Sequence, residues 1–193
     1  MEKTTINDIA ALKVESALSS TQTRRQALRD FQQALAQKTQ QAQSKSAKED
    51  LRLAVQTGDL HWLIQLSHSK EVIALNDLCT VPWTQDWFLG LVHHRGHMMG
   101  VIDLPGFMGK PVAPLLASDR LLLLSESLNA PCALRLSKLN GMVNLAELST
   151  QTASTEVAAW MGRNYLDREG QSWRAIDLQA LTHEPTFLEI GVH

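Results

Sequence analysis

Val81-Pro82-Trp83-Thr84-Gln85-Asp86-Trp87-Phe88-Leu89-Gly90-Leu91-Val92-His93-His94-Arg95-Gly96-His97-Met98-Met99-Gly100-Val101-Ile102-Asp103-Leu104 is the stretch on which the fold turns. Phe88 to His93 reads as a strand, Arg95-Gly96 breaks it, and Met98 to Leu104 reads as the return, so the segment is a hairpin. Working outward, Trp62, Ile64 and Leu66 share one face of a period-two run from His61 to Leu66. Ser67 to Lys70 is turn-like, and Glu71 to Leu75 reads as the strand that follows. Arg120 to Ser125 and Cys132 to Ser137 flank a turn at Asn129-Ala130-Pro131, and Trp173 to Leu178 is a last strand. A helical piece is expected over Thr155 to Met161. Many short strands separated by turn signals specify a mainly β chain, as a small barrel or a pair of barrels.

The hairpin has an echo near the other end. Gly96 precedes Ile102-Asp103-Leu104 by six residues, and Gly170 precedes Ile176-Asp177-Leu178 by the same six. The pattern implies two similar hairpins, each ending in an Asp whose carboxylate can accept backbone N–H bonds.

The N-terminal part has a different composition. All ten glycines, all six prolines and all five tryptophans lie from Gly58 onward. Residues 1–57 carry nine Lys+Arg against six Asp+Glu, whereas 58–193 carry nine against fourteen. A stretch without Gly or Pro and rich in Gln, Ala and Lys reads as helix. Thr23-Arg24-Arg25-Gln26 and Ser46-Ala47-Lys48-Glu49 match the capping-box pattern, and Leu28, Phe31 and Leu35 recur at helical spacing. An earlier helix is expected from about Asp8 to Leu18. The expected organisation is a helical leader over 1–58 and a main domain over 59–193.

Composition excludes several classes. A formal net charge of -2 gives no general attraction to nucleic acid, and the tryptophans are not interleaved with a basic patch. The longest aliphatic run, Leu121 to Leu124, is far short of the roughly 20 residues of a membrane span. No apolar stretch of secretory type follows Met1-Glu2-Lys3. Cys79 and Cys132 make no CxxC motif or disulfide framework and suit a reducing cytoplasm. There is no P-loop, GxSxG elbow or GxGxxG opening a helix. His93 and His97 stand four apart, a metal-binding spacing on a helix, but here the flanks alternate as strands with Gly96 between. A metal-dependent enzyme is therefore the competing class, resting on these histidines alone. Asp103 and Asp177 admit a paired-carboxylate reading, for which the repeat gives a structural alternative. No cofactor or metal is expected.

The segment from Val81 to Leu104 resembles the CheW family, whose pattern is Val-Pro, a spacer, Gly-Val-Ile-Asn-Leu-Arg-Gly, then Pro-Val-Ile-Asp-Leu. Trp87-Phe88-Leu89-Gly90, and Gly100 where the family has Pro, resemble its PilI-type branch. So do Ala159-Trp160-Met161-Gly162, Trp173, Ile176-Asp177-Leu178 and Pro185-Thr186-Phe187-Leu188. The resemblance spans about residues 60–190.

It implies two interlocked five-stranded SH3-like barrels and a non-catalytic scaffold in the cytoplasm, recruited to receptor arrays. The implied partners are the cytoplasmic tip of a methyl-accepting chemoreceptor, PilJ-like here, and the regulatory domain of a CheA-like histidine kinase, ChpA-like here. Nucleic acid and direct membrane insertion are not implied. The output would be type IV pilus twitching, with flagellar chemotaxis as the nearer alternative. The implied partner-binding residues are Arg95, Gly96, Leu91 and Val92, and the structural motif residues are Asp103, Gly170 and Asp177. Taken alone, Arg95 would be a solvated turn arginine. This chain departs from the family pattern at His93-His94, which replace Asn-Leu. It departs also in a short stretch from Ala74 to Thr80, and 105–150 matches only loosely.

Overall fold

The computed structural model describes residues 50–151 and 158–192. The helices expected before Asp50 lie outside the described residues. The chain is mainly β, with strands β1 (Leu51–Thr57), β2 (Leu60–Gln65), β3 (Ser69–Ala74), β4 (Phe88–His94), β5 (His97–Ile102), β6 (Arg120–Leu124), β7 (Cys132–Leu136), β8 (Lys138–Asn144), β9 (Ser149–Gln151), β10 (Met161–Leu166) and β11 (Ser172–Ile176). Among the described residues, three short α-helices follow strand ends or precede the tail: α1 (Leu104–Phe107), α2 (Leu178–Thr182) and α3 (Pro185–Leu188).

The strands form two sheets, ordered β3-β6-β7-β5-β4 and β8-β1-β2-β11-β10-β9. The two orders correspond strand for strand. Each has a central parallel pair, β5 with β7 and β11 with β2, beside antiparallel hairpins β4–β5 and β10–β11. The first sheet is built from consecutive strands. The second takes β1 and β2 from the start of the described chain and the rest from its end, and β9 is an extra edge strand. Two five-stranded units are thus interlocked through the chain path.

Two sequence expectations fail here. Leu51–Thr57, assigned to the helical leader, is strand β1, paired with β2 on one side and β8 on the other. Its residues lack Gly and Pro, but strand neighbours on both sides satisfy its backbone and override local preference. The helix expected over Thr155–Met161 has its first part outside the described residues. Of the rest, Ala159-Trp160 is a turn and Met161 opens β10.

Period-two alternation sorts the core into three clusters. On β6, Leu122 and Leu124 enter the large central cluster, while Leu121 and Leu123 join Val92, Met99 and Val101 in a second one. On β2, Trp62 and Ile64 face the central cluster and Leu63 joins Ala54 and Trp173 in a third. A strand buried on both faces reads as an unbroken apolar run, which accounts for Leu121 to Leu124. The central cluster holds an aromatic group in which Trp87 stacks on Phe187 and Phe107 lies near both Trp87 and Trp160.

The repeated Ile-Asp-Leu occupies equivalent places. Asp103 accepts a hydrogen bond from Gly106 N, capping α1, and Asp177 accepts from Gln179 N and Ala180 N, capping α2. The correspondence extends beyond the motif. Asp103 N donates to Trp87 O and Asp177 N donates to Trp160 O, both at 2.8 Å. Gly96 and Gly170 lie at the two hairpin turns with φ of +87° and +84°.

Candidate partner-binding surface

The β4–β5 hairpin closes on Arg95 and Gly96, with φ of +49° and +87°. Positive φ at both central residues is the two-residue turn whose twist suits a hairpin, and Arg95 bears the strain of the left-handed region. Strain of this kind in a bulky residue concentrates at functional positions.

Arg95 is not simply solvated. Its Nη2 donates to Glu71 Oε1 at 3.0 Å, and His94 Nε2 lies 3.2 Å from Glu71 Oε2. Glu71 is on β3 and His94 on β4, the opposite edges of the five-stranded sheet. The contact therefore brings the edges together. A backbone bridge between Cys79 and Leu91, with both N–H···O distances at 2.8 Å, ties β4 to the chain that follows β3. The Arg95 side chain remains 70% exposed, so one face of its guanidinium fork is held and the rest is open to a partner carboxylate or carbonyl.

A cleft of about 520 Å³ lies beside the turn, lined by Lys70, His94, Arg95, His97, Met98 and Glu126 among others. Lys70 and Glu126 form an ion pair across it, and the hydrogen bond from Lys70 holds the Glu126 carboxyl below its ordinary range. Met98 is half exposed on the rim, a deformable apolar contact.

The sequence-derived residues separate. Arg95 and Gly96 are exposed at the turn. Leu91 is half-buried, its backbone engaged with Cys79. Val92 is 2% exposed and packs inside the five-stranded unit with Met99 and Leu121. Its side chain cannot meet a partner, because strand alternation turns it inward when Leu91 turns outward. His93 pairs with Met98, and His94 with His97, across the hairpin. Among the described residues, no three His, Cys, Asp or Glu side chains gather as a metal site. Cys132 is buried, which pushes its thiol up to about 12, while Cys79 is exposed.

One polar cluster was not anticipated. Arg135, buried on β7, donates through Nε to Asp119 Oδ2 at 2.9 Å and through Nη1 to Asp103 Oδ2 at 3.2 Å. The signal available was a lone charge inside Cys132-Ala133-Leu134-Arg135-Leu136.

The CheW-like domain model matches residues 52–186, most of the chain and every strand named above except the first residue of β1. The chain belongs to the CheW-like domain family. This CheW-like chain is 24% identical to Protein PilI of Pseudomonas aeruginosa over 153 residues, covering 78% of this chain and 85% of that protein. That is the branch which Trp87-Phe88-Leu89-Gly90 resembles. In structure it is similar to the scaffolding protein TtCheW of Thermoanaerobacter tengcongensis, with a TM-score of 0.57 and 14% identity. The likeness covers 67% of this chain and 85% of that one, and it establishes the CheW-like β fold.

Proposed function

We propose that this CheW-like protein is a non-catalytic coupling scaffold of type IV pilus chemotaxis. It links the cytoplasmic tip of a PilJ-like chemoreceptor to the regulatory domain of a ChpA-like, CheA-type kinase, in the cytoplasm at membrane-associated receptor arrays. The observation that carries the reading is the CheW-like match over residues 52–186, and the likeness to Protein PilI favours the pilus system over the flagellar one. The Arg95 turn supports it physically, since a strained, exposed guanidinium with donors to spare is suited to a partner's acceptors.

The test is Arg95→Ala beside wild type. Because Arg95 is 70% exposed and its Glu71 partner half-buried at the sheet edge, solvent screens the pair, and stability should change by only about 0.5–1 kcal/mol in thermal unfolding. Pull-down of receptor tip and kinase regulatory domain should weaken, and colony twitching should fall, with swimming unchanged. Arg95→Lys restores charge without the planar fork and should rescue only in part. Normal assembly and twitching in Arg95→Ala would refute the role of this turn. A swimming defect with normal twitching would shift the reading to the flagellar system.

A further inference from the structure

We propose that Trp83 and the tail beside it form a second docking surface, which takes a basic segment of a protein partner by laying an arginine or lysine side chain on the exposed indole. Trp83 precedes β4 and Arg95 follows it, so the length of that strand separates this surface from the Arg95 turn. Its chemistry is the same whichever receptor and kinase the chain couples.

Trp83 is 82% exposed, whereas Trp62, Trp87, Trp160 and Trp173 are each 9% exposed or less. Among the described residues it belongs to no core cluster and makes no aromatic ring contact. Its place is nonetheless fixed. Val192 N donates to Trp83 O at 3.0 Å, Gln85 N donates to Ile190 O at 2.8 Å, and Thr84 bridges to Gly191. The Thr84 hydroxyl closes the turn by donating to Val81 O at 2.9 Å. Trp83 has φ of +60°, a left-handed conformation that is an outlier for so bulky a residue. Glycine would adopt it without strain. A tryptophan that packs in no core and strains its own turn does not stabilise the fold, which leaves contact with a partner as its use.

The apolar surface continues along the tail. Val192, bonded beside Trp83, is 45% exposed, and Leu188 at the end of α3 is 65% exposed. Carboxylates accompany it. Asp86 and Glu189 are exposed and flank the Gln85–Ile190 bond, and neither takes part in an ion pair among the described residues. Segments 76–90 and 184–192 contain Asp77, Asp86, Glu184 and Glu189 but no Lys or Arg.

The face of an indole attracts cations, and a guanidinium stacks on it better than an ammonium does. Unpaired carboxylates nearby strengthen that attraction and repel phosphates. The combination selects a basic peptide segment over nucleic acid or an anionic membrane. The aliphatic stem of the stacked residue and its apolar neighbours would cover Val192 and Leu188.

The test uses the full chain and its own fluorescence. Trp83 is the one well-exposed tryptophan, so caesium should quench the emission more strongly than iodide does. Trp83→Gly should lose most of the quenching by either ion and melt at or above the wild-type temperature, since the strain is relieved. A capped helical peptide of Ala, Leu and Arg should bind, its Lys counterpart more weakly, and its Glu counterpart not at all. Trp83→Gly and, separately, Asp86→Asn/Glu189→Gln should each weaken the Arg peptide at least about ten-fold. The second variant should also reduce the salt dependence of binding. Iodide quenching as strong as that by caesium, no binding of the Arg peptide, or unchanged affinity in Trp83→Gly would overturn the assignment. A clearly lower melting temperature for Trp83→Gly would overturn it as well, by making Trp83 a packing residue. So would a DNA duplex or a phosphatidylglycerol vesicle that shields Trp83 from quenching.

Discussion

Arg135 is the residue on which most buried charge depends. Its guanidinium faces two carboxylates that are themselves almost wholly buried, Asp103 and Asp119. Removing the cation leaves those carboxylates desolvated and unpaired, which in buried pairs costs about 3–5 kcal/mol. Arg135→Met should therefore lower the unfolding free energy by that amount in urea denaturation. Adding Asp119→Asn removes one of the stranded charges and should recover part of the loss. A change below about 1 kcal/mol for Arg135→Met would show that water reaches the cluster. The same residue joins the Asp103 cap of α1 to the carbonyls of Ala113 and Pro114, to which it also donates, so its role extends from stability to the shape of that loop.

At the scale of elements, the β4–β5 hairpin depends on two glycines for different reasons. Gly90 has φ of +135° at the bulge between Phe88 and Gly90 in the pairing with β5. A Cβ there would stand 2.3 Å from Cys79 O, inside the bridge that ties β4 to the preceding chain. Gly96 has φ of +87° but open space around it. Backbone strain alone costs about 1–3 kcal/mol, so Gly96→Ala should fall in that range. Gly90→Ala adds a clash with backbone and should cost more, with the Cys79–Leu91 amides losing protection in hydrogen exchange. Equal destabilisation by the two substitutions would show that the bridge relaxes to admit a methyl group.

For the whole molecule, the decisive feature is that one five-stranded unit borrows its β1 and β2 strands from the start of the described chain. β1 lies between β8 and β2, and it contributes Val55 to the central core and Ala54 to the third cluster. A chain cut at residue 59, where composition changes, would leave β2 and β8 with unpaired edges and a gap in the core. We expect residues 59–193 to be insoluble or to melt without cooperativity, and residues 50–193 to give a single thermal transition. Cooperative unfolding of the shorter fragment near the longer one's melting temperature would show that β1 is dispensable.

Much of this was written locally. Period-two runs, the Arg95-Gly96 turn and the doubled Ile-Asp-Leu depend on neighbours within a few residues, so strands β2 to β7 and β11, the paired hairpins and the family pattern were legible in the sequence, whereas β8, β9 and β10 were not. The β1 strand was not, because its state depends on partners supplied by β2 and by β8, far along the chain. The resemblance implied both Leu91 and Val92 as partner-binding residues; neighbours on a strand face opposite ways, and closure of the sheet decided that Val92 points inward. The Glu71–Arg95 contact spans 24 residues and joins two sheet edges, and the Arg135 cluster gathers carboxylates from separate segments. Such contacts leave no spacing to read, since they are set by how strands curl and cross rather than by distance along the chain.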